Sequence, residues 1–90
     1  MAIAVLYSSN GLTPEQHDRI GESLQQAGSS PMPGLLSHTA YSTPEGLRVF
    51  EVYESPEAFQ AAGSILGPIM QEMQLPAGDP PAVFEVYATF

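Results

Sequence analysis

The chain contains no cysteine, no lysine and no tryptophan. Without thiols there is no disulfide scaffold, no thiolate zinc site, no iron–sulfur cluster and no cysteine nucleophile. Two cations, Arg19 and Arg48, face ten carboxylates, and the formal charge is -8. Nucleic-acid binding draws its affinity from clustered Lys and Arg, so this composition speaks against it, and against an anionic membrane surface for the same reason. Long apolar runs are missing too. Ala2 to Leu6 is far too short to span a bilayer, and the N-terminus has neither a basic leader region nor a cleavage site. The expectation is a soluble, cytoplasmic, bacterial protein. Its 90 residues make one domain, 1-90. A domain of this size buries only roughly 60 to 65% of the surface its unfolded chain exposes, so a deep private active site is hard to build without a partner.

What is present is strongly patterned. Ala2 to Ser8 reads as a strand that stops at the turn cluster Ser9-Asn10-Gly11. Thr13-Pro14-Glu15-Gln16 predicts a helix start, with Thr13 as N-cap, proline at the first helical position and Gln16 completing a capping box. Ile20, Leu24 and Ala27 recur at helical spacing, and Gly28-Ser29-Ser30-Pro31 ends the run. Leu35 to Tyr41 and Leu47 to Glu54 are strand-like, joined by a Pro-Glu-Gly turn, and predict a hairpin. Ser55-Pro56-Glu57 starts a second helix with a buried stripe of Phe59, Ala62, Leu66, Ile69, Met70 and Met73, which Gly67-Pro68 should kink or interrupt. The segment 75 to 81 is a proline-rich connector, and Val83 to Phe90 is the last strand.

The order strand, helix, strand, strand, helix, strand predicts an α+β, ferredoxin-like βαββαβ fold with a four-stranded antiparallel sheet. The pentapeptide Val-Phe-Glu-Val-Tyr occurs twice, at 49 to 53 and 83 to 87. These strands should run parallel to each other on either side of the first. Alternation separates Phe50, Val52, Phe84 and Val86 from Val49, Glu51, Tyr53, Val83, Glu85 and Tyr87. The purely apolar set is expected beneath the helices. Two helices cover one side of such a sheet, so the set bearing the glutamates and tyrosines is expected to meet a second copy of the chain. A solvent-facing amphipathic sheet is the plainer alternative.

His38, in strand two, is the candidate acid or base with an ordinary pKa near neutrality; a hydrogen-bonded structural histidine is the plainer reading. A hairpin centred on Pro44 and Glu45 sets His38 opposite Glu51, a carboxylate able to orient it, whereas a bulge at Gly46 sets it opposite Val52. Tyr53 and Tyr87 are candidate hydroxyl partners, or simply interface aromatics. Arg48 is the better cation for a substrate carboxylate, unless it only pairs with surface glutamates. His17 precedes Asp18 in the first helix, but with no ligand at i+4 no metal site is expected. No phosphate loop and no nucleophile elbow is present.

With Pro33-Gly34-Leu35-Leu36-Ser37-His38 opening strand two, Arg48-Val49-Phe50-Glu51-Val52-Tyr53-Glu54-Ser55-Pro56-Glu57-Ala58-Phe59 joining strand three to helix two, and a terminal Val83-Phe84-Glu85-Val86-Tyr87, the chain resembles the dimeric α+β barrel superfamily. That group contains antibiotic-biosynthesis-monooxygenase-like and stress-responsive barrel proteins. The resemblance implies a homodimer with two sheets packed face to face and small-molecule pockets between a sheet and its helices. It implies cofactor-free oxygenase, haem-degrading, isomerase or polyketide-cyclase activities. The absence of tryptophan, the single asparagine at Asn10 and a second helix without histidine count against the oxygenase and haem-degrading readings. His38 with a tyrosine is closer to the acid/base pairs of cyclase or isomerase relatives. The expectation is therefore a homodimer, without cofactor, that binds an apolar, oxygenated, aromatic or polyketide-like molecule. His38, Tyr53 and Tyr87 are its catalytic candidates, and Arg48 and Glu51 its substrate-binding ones. The alternative is a non-catalytic binding or accessory module.

Overall fold

The first strand, β1 (Ile3–Tyr7), alternates between buried Ile3 and Val5 and half-buried Ala4 and Leu6, the period-two signature of a sheet covered on one side. The computed structural model describes residues 1–8, 12–30, 32–75 and 80–88. The turn expected at Ser9-Asn10-Gly11, Pro31, most of the connector and the last two residues lie outside these.

Helix α1 (Pro14–Gln26) begins as its sequence requires. Gln16 donates its backbone N–H to Thr13 Oγ1 at 3.1 Å, and Thr13 returns its own to Gln16 Oε1 at 3.0 Å. It closes with Ser29 N–H on Leu24 C=O at 2.8 Å and Gly28 N–H on Gln25 C=O at 3.0 Å, with Gly28 at φ 72°. This is the double bond of a Schellman ending, whose left-handed residue is normally glycine. Helix α2 (Pro56–Glu72) starts on Ser55, whose Oγ accepts from Ala58 N–H at 3.1 Å. It ends in the same motif, but with Gln74 in the left-handed position at φ 58°. The expected interruption at Gly67-Pro68 does not occur, and the helix runs through Pro68. Gly67 and Pro68 are both exposed, so water can satisfy the carbonyl that the proline leaves without an N–H donor.

The hairpin β2 (Leu35–Thr43) and β3 (Gly46–Tyr53) closes on Pro44-Glu45, with Thr43 Oγ1 accepting from Glu45 N–H at 3.2 Å and donating to Gly46 C=O at 2.7 Å. No register shift arises at Gly46, so His38 stands opposite Glu51 and not Val52. A bulge does occur between Leu35 and Ser37. It follows the turn at Gly34, whose backbone is at φ 78° and whose C=O accepts from Glu54 N–H at 2.8 Å. A Cβ on Gly34 would meet Ala58 Cβ at 2.5 Å, so α2 packs here directly against backbone.

The sheet order is β2-β3-β1-β4, with β4 (Ala82–Glu85) on one edge and every neighbouring pair antiparallel. The fold is thus the expected α+β, ferredoxin-like layout, and the two copies of the pentapeptide do flank β1. β4 is shorter than expected. Strand β1 begins at Ile3, opposite Glu85, and beyond that, among the described residues, only Val86 N–H on Ala2 C=O continues the pairing, at 3.0 Å.

The assignment of the two sheet faces is corrected. Val49, Glu51 and Tyr53 are buried beneath the helices beside Ile3 and Val5, while Phe50 is 39% and Phe84 58% exposed on the other side. Counting hydrophobes misplaced them, because the helix-covered residues of the pentapeptide include an internally satisfied polar cluster and its uncovered residues are the more apolar. The core comprises Ile3, Val5, Met32, Tyr53 and Ala62, with Phe59 against Tyr53 at a ring separation of 5.5 Å. The uncovered face carries Leu36, Tyr41, Phe50 and Phe84, each at least 39% exposed.

Candidate functional site

Register places the site. Antiparallel pairing sets His38 of β2 beside Glu51 of β3, and Glu51 beside Val5 of β1, all on the helix-covered side. Two residues further along β3, on the same side, lies Tyr53. His17 comes from the second turn of α1, three residues before Ile20 and seven before Leu24, and therefore on that helix's inward side. The result is a continuous chain of polar contacts running from solvent into the core.

At its buried end Glu51 is 3% exposed and Tyr53 fully buried. Tyr53 donates its hydroxyl to Glu51 Oε1 at 2.7 Å, and His38 Nδ1 lies 2.6 Å from Glu51 Oε2. A carboxylate only accepts, so His38 donates from Nδ1 and its Nε2 is turned away from Glu51. The Tyr7 hydroxyl interacts with that of Tyr53. Burial pushes the Tyr7 phenol up to about 12, assisted by the Glu51 charge. Burial pushes Tyr53 further in the same direction, reinforced by its bond to Glu51 and the charge there. Both phenols therefore stay protonated, and the Tyr53 hydroxyl fixes the carboxylate.

At the outer end His38 Nε2 meets His17 Nε2 at 2.9 Å, and His17 Nδ1 lies 3.3 Å from Asp18 Oδ1 on the surface. The imidazole centroids are 5.2 Å apart and the planes 26° from parallel, so the rings meet nitrogen to nitrogen and do not overlap face to face. Beside the pair opens a cavity of about 360 Å³ between α1, α2 and the sheet. Its apolar wall is Ile20, Leu24, Met32, Leu35 and Leu66, and its polar groups are His17, His38, Glu51 and Ser30.

Of the residues expected at a site, the structure brings together His38, Glu51 and Tyr53. Tyr87 is not among them: it lies beyond β4 and is fully exposed. Its copy of the pentapeptide pairs with β1 two residues out of step, with Glu85 opposite Ile3 where the other copy sets Tyr53 opposite Ile3. Arg48 is not at the cavity either. Strand alternation and its pairing with Tyr41 put it on the uncovered face with Phe50, and its Nη1 donates to Leu47 C=O at 3.2 Å. Tyr53 is not an interface aromatic, since its ring lies in the core. Sequence reasoning passed over His17 and Tyr7. The helical spacing of His17 from Ile20 and Leu24 was the available signal for the first, and the alternation of Tyr7 with Ile3 and Val5 for the second. Among the described residues no group of three or more His, Asp and Glu is placed to hold a metal ion, and no helix is long and apolar enough to cross a membrane.

No protein-family model matches the chain, and neither does any curated protein. Solved structures do. A protein from Chloroflexus aurantiacus described as an antibiotic biosynthesis monooxygenase superposes with a TM-score of 0.67 at 24% identity, over 100% of this chain and 97% of its own. SnoaB from Streptomyces nogalater, a cofactor-independent oxygenase, gives 0.60 at 17% identity over 98% of this chain and 94% of its own. The ActVA-Orf6 monooxygenase of Streptomyces coelicolor, solved with the ligand Nanaomycin D, gives 0.56 at 20% identity over 99% and 90%. The chain has the fold of the antibiotic-biosynthesis-monooxygenase-like structures.

Proposed function

We propose that this protein acts as a homodimer that binds a neutral, apolar, hydroxyl-bearing aromatic or polyketide-like molecule between α1, α2 and the sheet, and removes a proton from it. The observation that carries this reading is a histidine on the wall of an apolar cavity with a buried carboxylate 2.6 Å from its far nitrogen. That geometry is the one a positioned general base requires. The ligand O–H breaks, an imidazole N–H forms, and Glu51 stabilises the resulting imidazolium. The electron-rich phenolate or enolate left behind is the form that reacts with oxygen, closes a ring or shifts a double bond. The proton step needs no cofactor. Tyr53 acts on Glu51 and not on the ligand, because its one proton is committed there.

Charge narrows the ligand further. Arg19 and Arg48 are the chain's two cations, and neither lines this cavity, so its wall offers no permanent positive charge to a carboxylate or phosphate. A ligand that donates a hydrogen bond while staying neutral fits best. The likeness to a cofactor-independent oxygenase and to a monooxygenase solved with a small-molecule ligand supports the same class. Support for the dimer comes from the uncovered sheet face, where Leu36, Tyr41, Phe50 and Phe84 form an apolar surface suited to a self-complementary, two-fold contact.

One observation favours a second reading, a non-catalytic binding or accessory dimer: His38 Nε2 is already met by His17. The probe 4-nitrophenol separates the two, because its phenolate is coloured and its phenol is not. Held below its own ionisation range, the probe is expected to turn yellow on binding, and His38→Gln to lower the bound phenolate-to-phenol ratio at least about tenfold. Binding without ionisation by the wild-type protein would leave the accessory role standing and remove the base.

A further inference from the structure

The outer half of the polar chain has a proton count that only one arrangement satisfies fully. Asp18 and Glu51 each face a ring Nδ1, of His17 and of His38. Both carboxylates are acceptors, so both Nδ1 atoms carry hydrogen, and both Nε2 lone pairs are then aimed at one point midway along the 2.9 Å between them. Two lone pairs so directed repel each other, and a single proton between them turns that repulsion into a hydrogen bond. Three contacts thus need three protons. Removing one exposes the repulsion, and adding a fourth forces two N–H groups together.

We propose that His17 and His38 form one proton-accepting unit, a proton sponge built across α1 and β2, which takes one proton from the ligand and refuses a second. This rests on the proton-abstraction reading and adds His17 to it as an equal partner. The ligand O–H loses its proton to the shared Nε2–H···Nε2 position, and the charge is spread over two rings backed by two carboxylates. Release to solvent follows through His17, the ring whose other nitrogen faces the exposed Asp18. The ionisable groups around the pair are Asp18 from α1, Glu51 and Tyr53 from β3, and Tyr7 from β1; α2 contributes Leu66 to the cavity wall.

Two measurements test it. In protein labelled with ¹⁵N at histidine, a scalar coupling between His17 Nε2 and His38 Nε2 across the shared proton is expected with 4-nitrophenol bound, and without it only as the pH is lowered and solvent supplies that proton. With 4-nitrophenol, His17→Gln and His38→Gln should each lower the bound phenolate-to-phenol ratio at least about tenfold, and the double variant no further than the worse single one, as for residues that act as a unit. Should His17→Gln fold poorly, Asp18→Asn, a change at an exposed side chain, should lower the ratio a few-fold by releasing the Nδ1–H of His17. Absence of the coupling in the wild type both with the probe bound and at low pH overturns the pair, as does a His17→Gln variant that ionises the probe like the wild type. Coupling present in a protein that binds the probe without ionising it upholds the pair and overturns the proton abstraction.

Discussion

Replacing Tyr53 with phenylalanine removes one oxygen from the centre of the molecule and leaves the ring against Phe59. The lost contact is a hydrogen bond to a carboxylate that is 3% exposed, at 2.7 Å. Bonds to charged groups are worth about 1.5–3 kcal/mol, and Glu51 cannot turn to water to replace the partner, so a loss of about 2 kcal/mol is expected at neutral pH. For a domain of this length that corresponds to a fall in melting temperature of roughly 8–16 °C. The sign of the pH dependence is opposite. A tyrosine whose folded pKa lies above its unfolded value, as for Tyr53, contributes stability that is intact below about pH 10 and is lost as pH rises, because only the unfolded chain ionises. Each pH unit above that value costs the wild type about 1.4 kcal/mol from Tyr53 alone, a cost the phenylalanine variant escapes. A deficit of about 2 kcal/mol is therefore cancelled near about pH 11.5, where the two stability curves should meet. Urea unfolding at a series of pH values measures this directly. A variant that stays parallel to the wild type from neutral pH to pH 11.5 would show that Tyr53 ionises as freely in the folded protein as in the unfolded one, and would refute the buried Tyr53–Glu51 bond.

Gly34→Ala should cost about 3 kcal/mol, from a left-handed backbone at φ 78° and a Cβ 2.5 Å from that of Ala58, with Ala58→Gly relieving the second part in urea titrations of the single and double variants. Gln74→Gly should raise stability by about 0.5–1 kcal/mol, since the left-handed position that ends α2 is the one described non-glycine residue at positive φ. Phe50→Arg with Phe84→Arg, on the uncovered face, should give a folded monomer by light scattering, and a dimer of normal stability would show that the partner sits elsewhere.

Much of the architecture could be read from the chain because its local signals agree with one another. Thr13 and Gln16 cap α1 as written, Ser55 and Pro56 start α2, and Pro44-Glu45 fixes a hairpin register that brings His38 to Glu51. Which side of the sheet lies inward was not legible from alternation, because period two separates the sets without saying which is covered. Hydrophobicity then pointed the wrong way. A glutamate inside a core is costly alone, but Glu51 is satisfied by Tyr53 from two residues along its own strand and by His38 from its neighbour, so it belongs inside. Tyr87 and Arg48 failed as candidates for geometric reasons, one displaced along an edge strand and the other on the far face. His17 was passed over because metal spacing was tested for it, and contact with the sheet was not.

The twofold occurrence of Val-Phe-Glu-Val-Tyr has a consequence for how the sheet is assembled. In β3 the copy sets Glu51 opposite Val5, and in β4 it sets Glu85 opposite Ile3, a difference of two residues along the same partner strand. A slip of two leaves inside and outside unchanged, so it is an error in pairing that alternation does not oppose. Advancing β4 by that amount would put Glu85 opposite Val5 and Tyr87 opposite Ile3, reproducing along the edge the pattern that β3 holds at the centre. The molecule carries a second copy of the sequence of β3, set two residues out of step along the same partner strand.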